Sequence, residues 1–78
     1  MILKCNLRKL AFDRDIRSIS ELQRITGVSR PTLYKMYDNR DLETIKMESY
    51  KIVCKKLECK KLNELIEFED EAGEQDGN

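Results

Sequence analysis

Residues 18–37 read SISELQRITGVSRPTLYKMY, and this stretch decides the fold. It predicts two short helices, about 19–26 and 30–37, joined by a tight turn. Ser18 is the candidate N-cap of the first helix, and Glu21 follows at the spacing of a capping box. Leu22 and Ile25 give that helix an apolar edge. Gly27 stands where it must stop, as a residue that adopts positive φ without a Cβ penalty. Val28 is a lone apolar plug. Ser29 is the candidate cap of the second helix. Pro31 falls in the first turn, where its missing N–H costs little. Leu33 and Met36 form the expected buried edge. Arg30, Thr32, Tyr34 and Lys35 lie mainly elsewhere on the helix, available to a partner.

The run ELQRITGVSRPTLYKMY resembles the helix-turn-helix of the Cro/CI repressor family, whose usual form is ELA, three residues, GVS, two residues, TLS. The resemblance is strongest from Glu21 to Leu33 and extends from about Asn6 to Phe68. MESYKIVCKKLEC and LNELIEF are similar to the fourth- and fifth-helix segments of small members of that family. The resemblance implies a compact, all-α, lambda-repressor-like domain of four to five helices that binds DNA through the second helix of the motif. Three departures stand out. Gln23 replaces the usual small Ala, Asp38 to Lys46 replaces a short Gly-Lys loop, and one extra residue lies between Cys59 and Leu62.

Working outward, Asn6 is a candidate cap for a helix over about 7–14. Leu7, Leu10 and Ala11 make its inner stripe, with Arg8, Lys9 and Arg14 on the outer faces. Phe12 falls off the stripe, which suggests packing against the amino-terminal segment or a second subunit. Ile16 tucks inward from the connection DRDIRS. Beyond the motif, Leu42 and Ile45 anchor a polar segment in which Asp41 can cap a single turn. A further helix is expected over about 47–58, with Met47, Tyr50, Val53, Cys54 and Leu57 as its inner stripe and Ile52 pointing away. Lys55, Lys56, Lys60 and Lys61 favour the negative end of that helix. Two readings of the carboxyl-terminal LIEF stay open. It can pair as a strand with the apolar start of the chain, or Asn63 can cap a short last helix or turn through Ile66. A domain over 1–68 and a disordered acidic tail over 69–78 are expected.

The chain of 78 residues has 15 basic and 15 acidic residues, so its formal charge is zero. The halves differ. Residues 1–61 carry 15 basic and 8 acidic groups, +7, and residues 62–78 carry 7 acidic groups and no basic one. A basic body suits a polyanion. There is no histidine, which removes the commonest general base, and only three glycines, none in a phosphate loop. No enzyme is expected, and no cofactor. Cys5, Cys54 and Cys59 form no CxxC pair and are read as reduced, small apolar residues rather than metal ligands. No apolar run is long enough for a bilayer, and MILKCNL is charged too early for a secretory signal, so a cytoplasmic location and no membrane partner are expected.

A helix-turn-helix lays its second helix in the major groove, where base edges carry a distinguishable pattern. The base-reading candidates are Ser29, Arg30, Pro31, Thr32 and Lys35. Arg30 can fork onto one guanine or hold a phosphate. Thr32 offers a methyl and a hydroxyl, or merely caps. Pro31 can touch a thymine methyl or fix the helix start. Lys35 can reach a base or a phosphate. The backbone candidates are Ser18 and Ser20, at a helix start that favours anions, with Tyr34, Arg40 and Lys46. Arg24 is weaker, and Tyr37 can equally close the core. The leading expectation is a sequence-specific transcriptional regulator, a phage or mobile-element repressor acting on double-stranded DNA as a homodimer. The dimer candidates are the amino-terminal segment, Ile52 and LIEF. The alternative is a protein-interaction module that reuses the motif to bind another regulatory protein.

Overall fold

A computed structural model describes residues 2–69. The elements run β1 (Ile2–Cys5), α1 (Leu7–Asp13), α2 (Ile19–Thr26), α3 (Arg30–Asp38), α4 (Met47–Lys56) and β2 (Ile66–Glu69). Single 3₁₀ turns occupy Leu42–Thr44 and Leu62–Glu64. The domain is mostly helical, with four helices and one antiparallel strand pair.

Burial of each apolar stripe explains the packing. Leu7, Leu10 and Ala11 of α1 meet Leu22 of α2, Leu33 and Met36 of α3, and Tyr50, Val53 and Cys54 of α4 in one core, closed by Leu42, Leu57 and Leu65. Tyr50 is the largest of these, and its hydroxyl cannot be left unpaired in such surroundings. It donates to the Leu42 carbonyl at 2.8 Å, fixing the 3₁₀ turn over α4.

LIEF takes the strand reading. Ile2 pairs with Glu69, Leu3 with Phe68, Lys4 with Glu67 and Cys5 with Ile66. Alternation sends Leu3, Cys5 and Ile66 against the core, while Lys4 reaches Glu69 at 3.1 Å on the other face. Two expected caps are corrected here. Asn6 makes no side-chain bond to the start of α1. Its amide donates instead to the Glu64 carbonyl (3.4 Å) and the Glu67 carboxylate (3.1 Å), tying the two chain ends together. Asn63 lies inside the second 3₁₀ turn, with Lys61 at the cap position, and no last α-helix forms. Glu69, assigned by sequence to the tail, is the final residue of β2. Residues 70–78, the rest of the expected tail, lie outside the described residues.

Other expectations shift in detail. Met47 opens the α4 stripe but is 50 % exposed, because it overhangs the edge of the core. Ile52, expected to point away, is half-buried and packs on the core. Phe12 is 82 % exposed, so the amino-terminal segment does not cover it. Arg14 is not an outer-face residue. It is half-buried, and its guanidinium donates to the Leu57 carbonyl at 2.7 Å and the Leu10 carbonyl at 3.3 Å. Asp41 does precede a helical turn, but it serves through its carbonyl, which accepts from the Thr44 N–H at 3.0 Å; its side chain makes no cap.

Candidate nucleic-acid interface

The motif is built from local chemistry. Ser18 is extended, and its Oγ accepts from the Glu21 N–H at 3.1 Å. The reciprocal bond of a capping box closes one residue further out: the Glu21 carboxylate accepts from the Arg17 N–H at 3.2 Å. The N–H groups of Ile19 and Ser20 are left at the open start of α2, where an anion is favoured.

Gly27 ends α2 at φ +77°, its N–H bonded to the Gln23 carbonyl at 2.8 Å. A Cβ built there would meet nothing within 4 Å, so the demand for glycine is conformational, not steric. Thr26, unnoticed in the sequence, staples the turn. Its buried hydroxyl donates to the Leu22 carbonyl at 2.7 Å and accepts from the Val28 N–H at 3.1 Å. A threonine just before the glycine, able to bond back one helical turn, was the available signal. Val28 is buried as expected, and the chain enters α3 with Leu33 and Met36 wholly inside.

Ser29 holds the N-cap position of α3 but makes no side-chain bond to its backbone. Its hydroxyl donates to Thr32 Oγ1 at 3.1 Å, and the Ser29 carbonyl takes the Leu33 N–H at 3.0 Å. Pro31 is the second residue of the helix and exposed. Arg30 is exposed, and its Nε donates to the Gln23 side-chain oxygen at 2.9 Å.

Residues 6–71 match the family of the Cro/C1-type HTH DNA-binding domain. The chain belongs to that family. No curated protein and no solved structure matches it.

The Cro/C1-type domain is therefore a DNA-binding regulator, and its candidate residues fall into three groups. Ser29, Arg30, Pro31 and Thr32 share the first turn of α3. Ser18 and Ser20 share the start of α2, both exposed. Tyr34, Lys35, Arg40 and Lys46 follow along α3 and its outgoing loop. Tyr34 is 45 % exposed. Lys35 leans towards the loop, its Nζ donating to Thr44 Oγ1 at 3.1 Å, while that hydroxyl donates onward to the Asp41 carbonyl at 2.7 Å. Arg40 lies 3.7 Å from the Asp38 carboxylate on the surface, and Lys46 is exposed at the start of α4. Tyr37 is half-buried against the core, with the Arg8 guanidinium 4.5 Å over its ring.

The far end of α3 is held as firmly as its start. Asn39 adopts φ +56°, and its amide grips both backbone groups of Cys5: the Cys5 N–H donates to Oδ1 at 2.8 Å, and Nδ2 donates to the Cys5 carbonyl at 3.0 Å. Away from this face, burial pushes the Cys5 thiol up to about 11. Burial, with the neighbouring Cys54, also pushes Cys59 up to about 11. Both are neutral thiols at pH 7. Among the described residues no group of three or more His, Cys, Asp or Glu could hold a metal ion, and no helix is long and apolar enough to cross a membrane.

Proposed function

We propose that this domain is a sequence-specific transcriptional regulator, a repressor of the phage or mobile-element kind, that inserts α3 into the major groove. The carrying observation is the polarity of α3. Leu33 and Met36 are wholly buried while Arg30, Pro31 and Tyr34 face outward. Such a helix presents side chains from a fixed scaffold, as groove reading requires. In this reading Ser29, Arg30, Pro31, Thr32 and Lys35 reach base edges. Ser18, Ser20, Tyr34, Arg40 and Lys46 hold phosphates, which position the protein without carrying sequence information. The action is cytoplasmic and non-enzymatic.

Selection of bound sequences from a random duplex pool tests the assignment. Enrichment of a defined site, bound with an affinity that falls steeply with salt, supports it. Failure to bind any duplex at low salt overturns it.

The same reading includes a homodimer on an inverted repeat. Its support is an apolar surface formed by Leu3, Met47, Leu62, Ile66 and Phe68, on which Phe68 is 66 % exposed. On β2, Glu69 is paired with Lys4 of the same protomer at 3.1 Å, and Glu67, which borders this surface, accepts from the Asn6 amide at 3.1 Å. Sedimentation of the wild type against Phe68→Glu tests it: a monomeric wild type at concentrations that saturate DNA removes the dimer from the proposal.

A protein partner is the second reading, favoured by one feature. Phe12 stands exposed beside Arg8, Lys9 and Arg17 at the rim of a groove between β1, α1 and the end of α3. Loss of a co-purifying regulatory protein in Phe12→Ser, with DNA binding intact, would support it.

A further inference from the structure

Gln23 occupies the position where the helix-turn-helix pattern carries a small residue, and its side chain does something alanine cannot. It spans from α2 to the first residue of α3, and its amide oxygen accepts from Arg30 Nε at 2.9 Å. We infer that Gln23 is a positioning and specificity-determining residue: it aims the Arg30 guanidinium so that its two Nη groups face a single guanine. The inference rests on the reading that Arg30 contacts a base.

The stereochemistry is restrictive. Guanidinium has five N–H donors in a planar fork, one on Nε and two on each Nη. With Nε committed to Gln23, the fork that remains is the Nη1–Nη2 end. A side-on approach through Nε is blocked while the glutamine is in place. The end-on fork still supplies two parallel donors, as guanine O6 and N7 require. Arg30 is exposed, so without this bond its long side chain samples many rotamers and reaches phosphates as readily as bases. Gln23 is itself half-buried on a helix whose Leu22 is locked in the core, so the aiming group stands on a rigid support. The chain departs from the usual alanine at a place from which a side chain reaches the first residue of the reading helix.

The alternative is a tie between two helices with no effect on reading. The two roles separate in one experiment. A preferred duplex is obtained by selection with the wild-type chain, and affinities are measured for it and for duplexes altered at each base pair. Arg30→Ala identifies the base pair that Arg30 reads. Gln23→Met keeps the volume and helix propensity but removes the acceptor; Gln23→Ala serves if the methionine variant does not fold. Gln23→Glu keeps the acceptor. The expected result is that Gln23→Met loses preference at the Arg30-read pair alone, by about tenfold, the size of one good bidentate contact. Gln23→Glu keeps that preference while binding all duplexes more weakly, because its charge opposes the phosphates. Adding Gln23→Met to Arg30→Ala costs no further preference. A uniform loss across all duplexes in Gln23→Met, with the base preference retained, assigns a structural tie and overturns the inference, leaving base reading by Arg30 intact. If Arg30→Ala changes no base preference, base reading by Arg30 falls and the role of Gln23 falls with it.

Discussion

Arg14 links the end of α1 to the end of α4: its Nε donates to the Leu57 carbonyl at 2.7 Å. The last carbonyls of a helix have no partner within it. At the end of α4, with Glu58 at φ +59° in the place of a glycine, those of Cys54 and Lys55 take the N–H groups of Cys59 (2.9 Å) and Glu58 (3.0 Å), and Arg14 supplies the donor for Leu57. A second bond, to the Leu10 carbonyl at 3.3 Å, holds the guanidinium between α1 and α4.

Removing that link should be felt throughout the fold. A hydrogen bond from a charged donor contributes roughly 1.5–3 kcal/mol, so Arg14→Ala should destabilise by about that amount. Arg14→Lys, which keeps a donor but not the fork, should recover only part of it. Urea unfolding midpoints with an unchanged m-value measure the effect. A loss no larger than that of Arg17→Ala, whose partner Asp15 is exposed, would show that Arg14 is dispensable.

Asn39 separates two costs at one position. Its φ of +56° is a left-handed conformation that asparagine tolerates better than alanine, and its amide clamps Cys5 through two bonds of 2.8 and 3.0 Å. Asn39→Gly keeps the backbone at ease and loses only the clamp. Asn39→Ala loses the clamp and, relative to the glycine variant, adds about 1–2 kcal/mol for the left-handed conformation. The expected order of thermal stability is wild type, then Gly, then Ala. If Gly equals wild type, the clamp contributes nothing measurable.

The alkaline side of the stability profile follows from buried acids. Burial raises Cys5 and Cys59 from 9.0 to about 11, and Tyr50 from 10.0 to about 12, with the Cys5 and Glu43 charges adding to the effect on Tyr50. Above pH 9 the unfolded chain releases protons that the folded chain keeps, so the unfolded state gains. Stability contributed by these groups is therefore complete below pH 9 and lost as pH rises through 11 and 12. Urea midpoints measured from pH 7 to 11.5 should be flat with respect to these groups up to about 9 and then fall. In Tyr50→Phe the upper part of the fall should shrink, although its baseline is lower for want of the Leu42 bond. A wild-type profile flat to pH 11.5 would contradict the assignment.

These cases mark what the sequence could disclose. The bend at Gly27, the cap by Ser18 and the buried pair Leu33 and Met36 were legible because each depends on residues within four positions. The strand pairing was legible only as an alternative, since Ile2–Cys5 and LIEF are too short to distinguish strand from helix alone. Arg14 with Leu57 and Asn39 with Cys5 were not legible. Their partners lie 43 and 34 residues away, and nothing in a side chain's own neighbourhood announces a distant carbonyl. At the interface the pattern repeats. Arg30 was visible as a cation at the start of α3, but its anchor Gln23 looked only like an oversized residue. Lys35 looked free, yet Thr44 of the following loop holds its ammonium.

Arg40 and Lys46 are the proposed phosphate contacts of the segment that follows α3. Arg40 lies 3.7 Å from the Asp38 carboxylate, which Arg8 also reaches at 3.3 Å, a surface pair that solvent screens and a phosphate can replace. Each phosphate contact releases about 0.9 counterions, so Arg40→Ala and Lys46→Ala should each flatten the slope of log K against log salt by about 0.9. The change should be equal for the selected duplex and for an unrelated one, because phosphates carry no sequence information. Arg30→Ala should behave differently, lowering the preference between the two duplexes more than it alters the slope. Fluorescence anisotropy titrations from 50 to 300 mM salt provide both numbers. If Arg40→Ala and Lys46→Ala leave the slope unchanged, the phosphate clamp is not in this loop, and the open start of α2 at Ser18 and Ser20 must carry it instead.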